Sequence, residues 1–339
     1  MRGRARAKPS PAAAAPALLG AWLTLAVAGC GRAPSGPLAY VSNERDGTVT
    51  VIDMRTDRVV STIEVGARPR GVRVSPDGRR VYVARSSPAG KPYRDEENRL
   101  VGIDVASGKV VDRLPAGTDP EQFAIGRDGQ YLYSSNEDAG TASVTDLRSG
   151  SVVATLVVGV EPEGVQISPD GRWVYVTAET SNTVSVIDAE KRQVVSTFMV
   201  GPRPRDAAFS PDGSRAYVSA ELDRSLYVVD ARTHTVTGTV RLPEDSKPVG
   251  VAVSGDGLRV YVANGRGNSV SVVDAEQLRV VANIPAGGRV WGIALSPDGK
   301  KLYAAGSLSN DVAVIDTESN RVVATIKVGD GPWGIAVRP

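Results

Sequence analysis

From residue 38 onward the chain is a succession of short, valine-rich apolar runs, each cut off by Gly, Pro, Asp or Asn. Runs of this length between turn residues predict strands, because helices need longer segments with a 3.6-residue period. The pattern repeats about every 42 residues, seven times. Each copy holds a V-I-D-like run, a turn of the S-P-D-G kind and a Y-V-x-x run. The run-ending aspartates are Asp53, Asp104, Asp146, Asp188, Asp230, Asp274 and Asp316. The tyrosines are Tyr40, Tyr82, Tyr133, Tyr175, Tyr217, Tyr261 and Tyr303. Four strand signals per repeat predict an all-β fold, a seven-bladed β-propeller of four-stranded antiparallel blades, since one small sheet cannot bury its own faces and must stack on its neighbours.

With strands lettered a to d from the centre outward, one repeat predicts strand a at 165–168, b at 173–177, c at 183–188 and d at 193–200. The S-P-D-G turn joins a to b: proline suits its second position and glycine tolerates positive φ. The chain starts on a b strand (38–43) and ends on an a strand (334–338), so its two ends are expected to pair and close the ring, removing open edges. Two departures lengthen the period. Nine extra residues fall within the charged b–c loop at 86–98, and a two-residue excess lies near 243–247. Insertions in repeat proteins fall in loops, often on the binding face.

Composition changes the picture at the N-terminus. The formal charge of +2 comes from residues 1–29, which hold four bases and no acid; the remainder has two more acids than bases. A near-neutral body gives no electrostatic case for nucleic-acid binding. Residues 1–29 read as an export signal, a basic segment followed by an apolar stretch at 17–28, short for a membrane span. Val27-Ala28-Gly29-Cys30 resembles the bacterial lipobox, which predicts lipidation of Cys30 and a tether at 30–37 ahead of the propeller at 38–339. The competing reading is an ordinary secreted protein with a stray cysteine. Gly31 slightly favours the outer membrane. Cys30 is the only cysteine, so no internal disulfide is possible.

Lining up the repeats separates constant from variable positions. The constant aspartates and glycines are read as turn residues. The slot after the recurrent proline before strand a holds Arg70, Glu121, Glu163, Arg205, Val249, Trp291 and Trp333. The slot after Y-V-x-x holds Glu44, Ser86, Glu137, Glu179, Glu221, Gly265 and Ser307. Both are expected at the channel mouth, with Arg68, Arg203 and Arg289 close enough in sequence to pair with the glutamates. One reading is a set of solvated loop salt bridges, worth little each. The other is a recognition rim with two tryptophan anchors, since Trp and Arg are frequent hot-spot residues.

Catalytic constellations are scarce. His234, the only histidine, falls in a turn on the opposite face, and one His with one Cys assembles no nucleophilic or metal set. A glutamate-rich Ca²⁺ site near Glu137, Glu179 and Glu221 stays open. No phosphate-cradling G-x-x-x-x-G-K-[ST] loop is present. No cofactor is expected.

The runs A-Y-V-S-N-E at 39–44, V-Y-V-T at 174–177 and T-V-S-V-I-D resemble the bacterial YVTN β-propeller repeat family over essentially all of 38–339. Further segments resemble the β-propeller proteins associated with PQQ-dependent alcohol catabolism: G-A-R-P-R-G at 66–71, D-P-E-Q-F at 119–123, V-G-V-E-P-E-G-V at 158–165, R-P-R at 203–205, R-V-W-G at 289–292, S-N-D-V-A-V-I-D at 309–316 and G-P-W-G at 331–334. That resemblance implies a periplasmic propeller beside quinoprotein alcohol dehydrogenases and c-type cytochromes. The 86–98 insertion and the lipobox depart from it. The leading expectation is a monomeric, envelope-anchored, non-enzymatic binding or scaffold propeller. Its partner would be a periplasmic protein or small ligand, and it would meet the membrane only through its lipid. The alternative is a lactonase-like or dehydrogenase-associated enzyme using the channel mouth. A third is a cell-surface structural protein.

Overall fold

The computed structural model describes residues 3, 36–87 and 96–338. Cys30, the export segment apart from Gly3, the first part of the tether and the middle of the 86–98 insertion lie outside the described residues. The described residues form 28 strands and no helix. The strands make seven four-stranded antiparallel sheets. Each a strand touches the a strands of both neighbouring sheets, and the sequence of contacts closes into a ring. The fold is therefore the expected seven-bladed propeller.

Blade 1 takes its a strand from the C-terminus. Pro332–Arg338 pairs antiparallel with Leu38–Asn43, with Leu38 opposite Arg338 and Tyr40 opposite Ala336. This is the anticipated closure, two residues longer than the pattern indicated. Inner strands such as Thr183–Asp188 are buried on both faces, which is why they read as continuous apolar runs. The outer strand Gln193–Met199 alternates exposed and half-buried residues, as an edge strand should. The cores lie between blades. Tyr175, Val184 and Val186 of blade 4 pack on Ala207, Val218 and Val229 of blade 5, for example. All seven strand tyrosines are buried. Full burial of a large apolar side chain contributes roughly 1.5–3 kcal/mol, so these repeated interfaces carry the ring.

The turn reading of the aspartates is matched by their hydrogen bonds. Asp188 Oδ1 accepts from Lys191 N at 2.9 Å, and Asp230 Oδ1 from Arg232 N and Thr233 N at 2.9 and 3.0 Å. Strand a differs from expectation. It runs Pro162–Ile167, starting three residues earlier than the apolar run, because a β-bulge adds a segment in front. Pro162 pairs with Ala178 and Val165 with Val176, so Glu163 and Gly164 together face Thr177. Two residues opposite one define a bulge, which re-aims side chains. The same shift occurs in every blade except blade 6, whose a strand is only Val251–Val253.

These bulges correct the assignment of every glycine to a turn. Gly164 and Gly292 sit in bulges against the next blade. A Cβ on either would lie 2.5 Å from a backbone carbonyl of the next blade, that of Arg205 or Trp333. Glycine there permits the close approach of adjacent a strands.

Candidate functional site

The bulge presents the post-proline slot to the channel mouth, and a hydroxyl relay holds it there. In blade 4 Gly164 N donates to Thr177 Oγ1 at 2.9 Å, and Thr177 Oγ1 donates to the Arg205 carbonyl of blade 5 at 3.2 Å. Ser42 links blades 1 and 2 through the Arg70 carbonyl at 2.5 Å; Ser135 links blades 3 and 4 through that of Glu163 at 2.6 Å; Ser219 links blades 5 and 6 through that of Val249 at 2.5 Å. The position is the third of Y-V-x-x, and its hydroxyl is the signal that marks it.

A second device joins the two variable slots. The residue before the recurrent proline, or before Val290 in its place in blade 7, has a left-handed backbone in Arg68, Asp119, Glu161, Arg203 and Arg289, with φ between 44 and 61°. Its carbonyl accepts the N–H of the post-Y-V-x-x slot: Glu179 N to Glu161 O at 2.9 Å, Glu221 N to Arg203 O at 2.9 Å, Glu137 N to Asp119 O at 3.2 Å. Charged side chains from both loops are thereby forced together.

The structure brings Glu44, Arg70, Glu121, Glu137, Glu163, Glu179, Arg205, Trp291 and Trp333 around one mouth cavity of about 240 Å³, with Arg203 and Arg289. Glu221 stands beside it on Arg205, at 2.7 Å. Two arginines organise the carboxylates. Arg205 also pairs with Glu163 and Glu179. Arg70 pairs with Glu121 and with Glu44 at 3.1 Å, and approaches Glu137 at 3.8 Å. Arg203 adds Glu179 at 2.5 Å and Glu221 at 3.4 Å; Arg68 adds Asp119 at 3.2 Å and Glu44 at 3.6 Å. Asp119 is a rim residue that the two aligned slots missed; alignment of the pre-proline slot exposes it.

These are not solvated loop bridges. Glu121, Glu163, Glu179 and Arg205 are 2, 5, 5 and 8% exposed. Removing one member of a buried pair costs about 3–5 kcal/mol, because the partner is left charged and unpaired. Burial, then the neighbouring Glu163, push the Glu179 carboxyl up to about 9. Burial acts on Glu163 too, but the Arg205 charge and hydrogen bonds from Glu179 and Arg205 hold it below the usual range. One proton is thus held by Glu179 beside an ionised Glu163. Burial is also the main cause that lifts Glu137, to about 7, against the Arg70 charge.

Glu137, Glu179 and Glu221 do not converge on one cation. Glu179 and Glu221 are taken by arginines, whereas Glu137 stands with Asp119 and Glu121, their carboxylate oxygens within 4.8 Å of one another. Arg70 and Arg68 already supply positive charge to that trio. The aromatic anchors also differ from expectation. Trp333 is buried, 5% exposed, and packs on Trp291 with ring centroids 5.7 Å apart. Trp291 is half-buried, with the Arg289 guanidinium 4.4 Å above its ring. Arg289 makes no ion pair among the described residues, contrary to the expected pairing with a glutamate. The base of the 86–98 insertion is pinned at the same rim: Ser86 Oγ donates to Pro120 O at 2.9 Å, and Arg68 Nη1 to Ser87 O at 2.8 Å. His234 is far from this chemistry. It is half-buried between blades, its Nδ1 2.7 Å from the Tyr175 hydroxyl and its ring edge-on to Trp173.

Fold and rim define a seven-bladed β-propeller with a charged channel mouth. A model of the choice-of-anchor I domain matches residues 26–203, more than half of the chain, and the chain belongs to that family. A YNCE-like beta-propeller model matches residues 248–338. No curated protein matches the sequence. Solved structures share the fold. Hydrazine synthase of Kuenenia stuttgartiensis is 24% identical, with a TM-score of 0.71 over 82% of this chain and 92% of that one. A functionally unknown protein from Desulfotomaculum acetoxidans DSM 771 is 20% identical, with a TM-score of 0.75 over 88% and 98%. The dihydro-heme d1 dehydrogenase NirN is 19% identical, with a TM-score of 0.62 over 87% of this chain and 66% of that one.

Proposed function

We propose that this protein is an envelope-anchored, non-enzymatic binding propeller whose channel mouth captures a periplasmic protein or small ligand, as an accessory to PQQ-dependent alcohol oxidation. The observation that carries the reading is the state of the rim charges. Most of the carboxylates are engaged by Arg68, Arg70, Arg203 and Arg205, which builds a rigid frame. Arg289 and Trp291 stay available on that frame, a cation stacked on an indole. Such a pair suits recognition, because a rigid indole holds a planar guanidinium stacked on it and both residues are frequent in binding hot spots. Anchoring through lipidated Cys30 belongs to the same proposal; the family's description as a choice-of-anchor domain supports it. The test is capture from periplasmic extract with mass spectrometry. Arg289→Ala combined with Trp291→Ala is expected to lower recovery of the captured component at least tenfold with the fold intact. Undiminished capture rejects the rim. Cys30→Ser is expected to release the protein from membranes.

The trio Asp119, Glu121 and Glu137 favours a second, enzymatic reading, lactonase-like or dehydrogenase-associated. Glu137 is raised to about 7, where a carboxyl can both give and take a proton. Lactone hydrolysis that Glu137→Gln abolishes would establish it; no hydrolysis by the wild type rejects it.

A further inference from the structure

Two more repeat positions line the channel below the rim, and both are nearly constant. Two residues after the recurrent proline stand Gly71, Gly164, Gly250, Gly292 and Gly334, with Gln122 and Asp206 in the remaining two blades. Four residues after it stand Ala124, Ala208, Ala252, Ala294 and Ala336, with Arg73 and Gln166 in the remaining two. The four departures come from four consecutive blades, 2 to 5. They all line one cavity of about 320 Å³. Opposite them the wall is Gly250, Gly292, Ile293, Gly334 and Ile335. Glu163, Arg205 and Trp291 border both this cavity and the mouth cavity, so the two adjoin.

The polar wall is not self-satisfied. Arg73 makes one hydrogen bond, from Nη1 to the Val72 carbonyl at 2.9 Å, and no ion pair among the described residues. A guanidinium has five N–H donors in a planar fork, which leaves four unused here. Gln122 Oε1 is buried without a partner. Asp206 is occupied: it accepts from Gln166 Nε2 at 3.3 Å, Ala207 N at 2.9 Å and Val251 N at 3.2 Å. Asp206 therefore offsets charge at a distance while the Arg73 fork faces the lumen. A half-buried cation with no ion pair in the channel wall is still costly, and the other five blades show that alanine fits its position. Selection for ring stability alone does not place it there.

We propose that the lumen is a binding site for a small organic carboxylate, held by the Arg73 fork and the Gln122 amide with its carbon skeleton against the Gly250–Gly292–Gly334 wall. Bidentate pairing is the geometry in which arginine matches a carboxylate. Rotation of the Gln122 amide presents its NH₂ instead of its oxygen as a second donor. The site goes beyond the rim reading and does not depend on it.

The experiment is calorimetric titration of the full chain with sodium succinate, sodium acetate and sodium phosphate at constant ionic strength. Melting temperatures are recorded alongside. Succinate or acetate is expected to bind the wild type more tightly than phosphate. Arg73→Ala is expected to weaken binding at least about tenfold, as loss of a charge-assisted hydrogen bond does. Gln122→Gly is expected to weaken it by a smaller factor. Both substitutions install what other blades already hold, so the melting temperature should not fall. Arg289→Ala at the rim should leave carboxylate binding unchanged. No carboxylate binding, tighter phosphate binding, binding that survives Arg73→Ala, or binding lost in Arg289→Ala would each overturn the assignment. Failure of partner capture with carboxylate binding intact would reject the rim reading and leave the lumen site standing.

Discussion

The channel has two unlike halves. Across blades 2 to 5 the rim slot holds Arg70, Glu121, Glu163 and Arg205, and the lumen beneath holds Arg73, Gln122, Gln166 and Asp206. Across blades 6, 7 and 1 the same rim slot holds Val249, Trp291 and Trp333, above glycine and alanine. The backbone of the two halves is nearly the same, with a bulge in every blade but the sixth. Outside blade 6, the difference therefore lies in side chains. It shows that one scaffold supports both a charged and an apolar wall, and that the charged wall is an addition to the repeat rather than a requirement of it.

Opening the ring should abolish the comparison altogether. Deleting residues 333–339 removes Trp333 and most of the strand that pairs with Leu38–Asn43. Loss of a single cooperative melting transition is expected in calorimetry; an unchanged transition contradicts the closure. Next in size is Arg205→Ala, which strands Glu163, Glu179 and Glu221. A loss of about 3–5 kcal/mol is expected by denaturant unfolding. A loss below about 1 kcal/mol would show that the charged half is solvated after all. Thr177→Val breaks the blade 4 to blade 5 relay and should cost about 1–3 kcal/mol, the penalty of an orphaned buried N–H at Gly164.

A smaller effect separates the halves by pH. Glu179 has a folded-state pKa of about 9, above its unfolded value, so the folded protein binds more protons through that interval. Its contribution is fully present below the ordinary carboxylate range and is lost as pH rises towards about 9. Glu137, at about 7, and Asp206, at about 6, act in the same direction. Melting temperature should therefore fall between about pH 5 and pH 9, and Glu179→Gln should flatten the decline. A rise over that interval contradicts the assignment. The smallest stability effect belongs to Arg289→Ala, expected within about 1 kcal/mol because the guanidinium has no ion pair to lose.

Much of the fold was legible in the sequence because the repeat writes each blade seven times. The turn aspartates, the strand positions of the tyrosines and the terminal closure all follow from anchors that recur at fixed spacing. The two variable slots were legible for the same reason, and they meet at one mouth. Three things were not. The bulge hides in Pro-Glu-Gly, which carries no apolar run, so strand a was expected at 165–168 instead of Pro162–Ile167. Burial of Glu163, Glu179 and Arg205 depends on how closely the bulges approach across the channel, which alignment does not report. The lumen positions were obscured because glycine was read as turn punctuation, so Gln122 and Asp206 did not stand out as exceptions. Only after Gly164 and Gly292 are seen against the next blade's carbonyl do those exceptions gain meaning.

The central claim is that the polar lumen of blades 2 to 5 exists to bind and not to hold the ring. It is tested most directly by the melting temperature of a fourfold variant, Arg73→Ala, Gln122→Gly, Gln166→Ala and Asp206→Gly, which gives every blade the common residue. The account predicts melting at or above the wild-type temperature, since the buried Asp206 carboxylate and the half-buried, unpaired Arg73 guanidinium leave and channel water takes over the N–H groups that Asp206 releases. A fall of several degrees would contradict it, because the four side chains would then be part of what holds the propeller together.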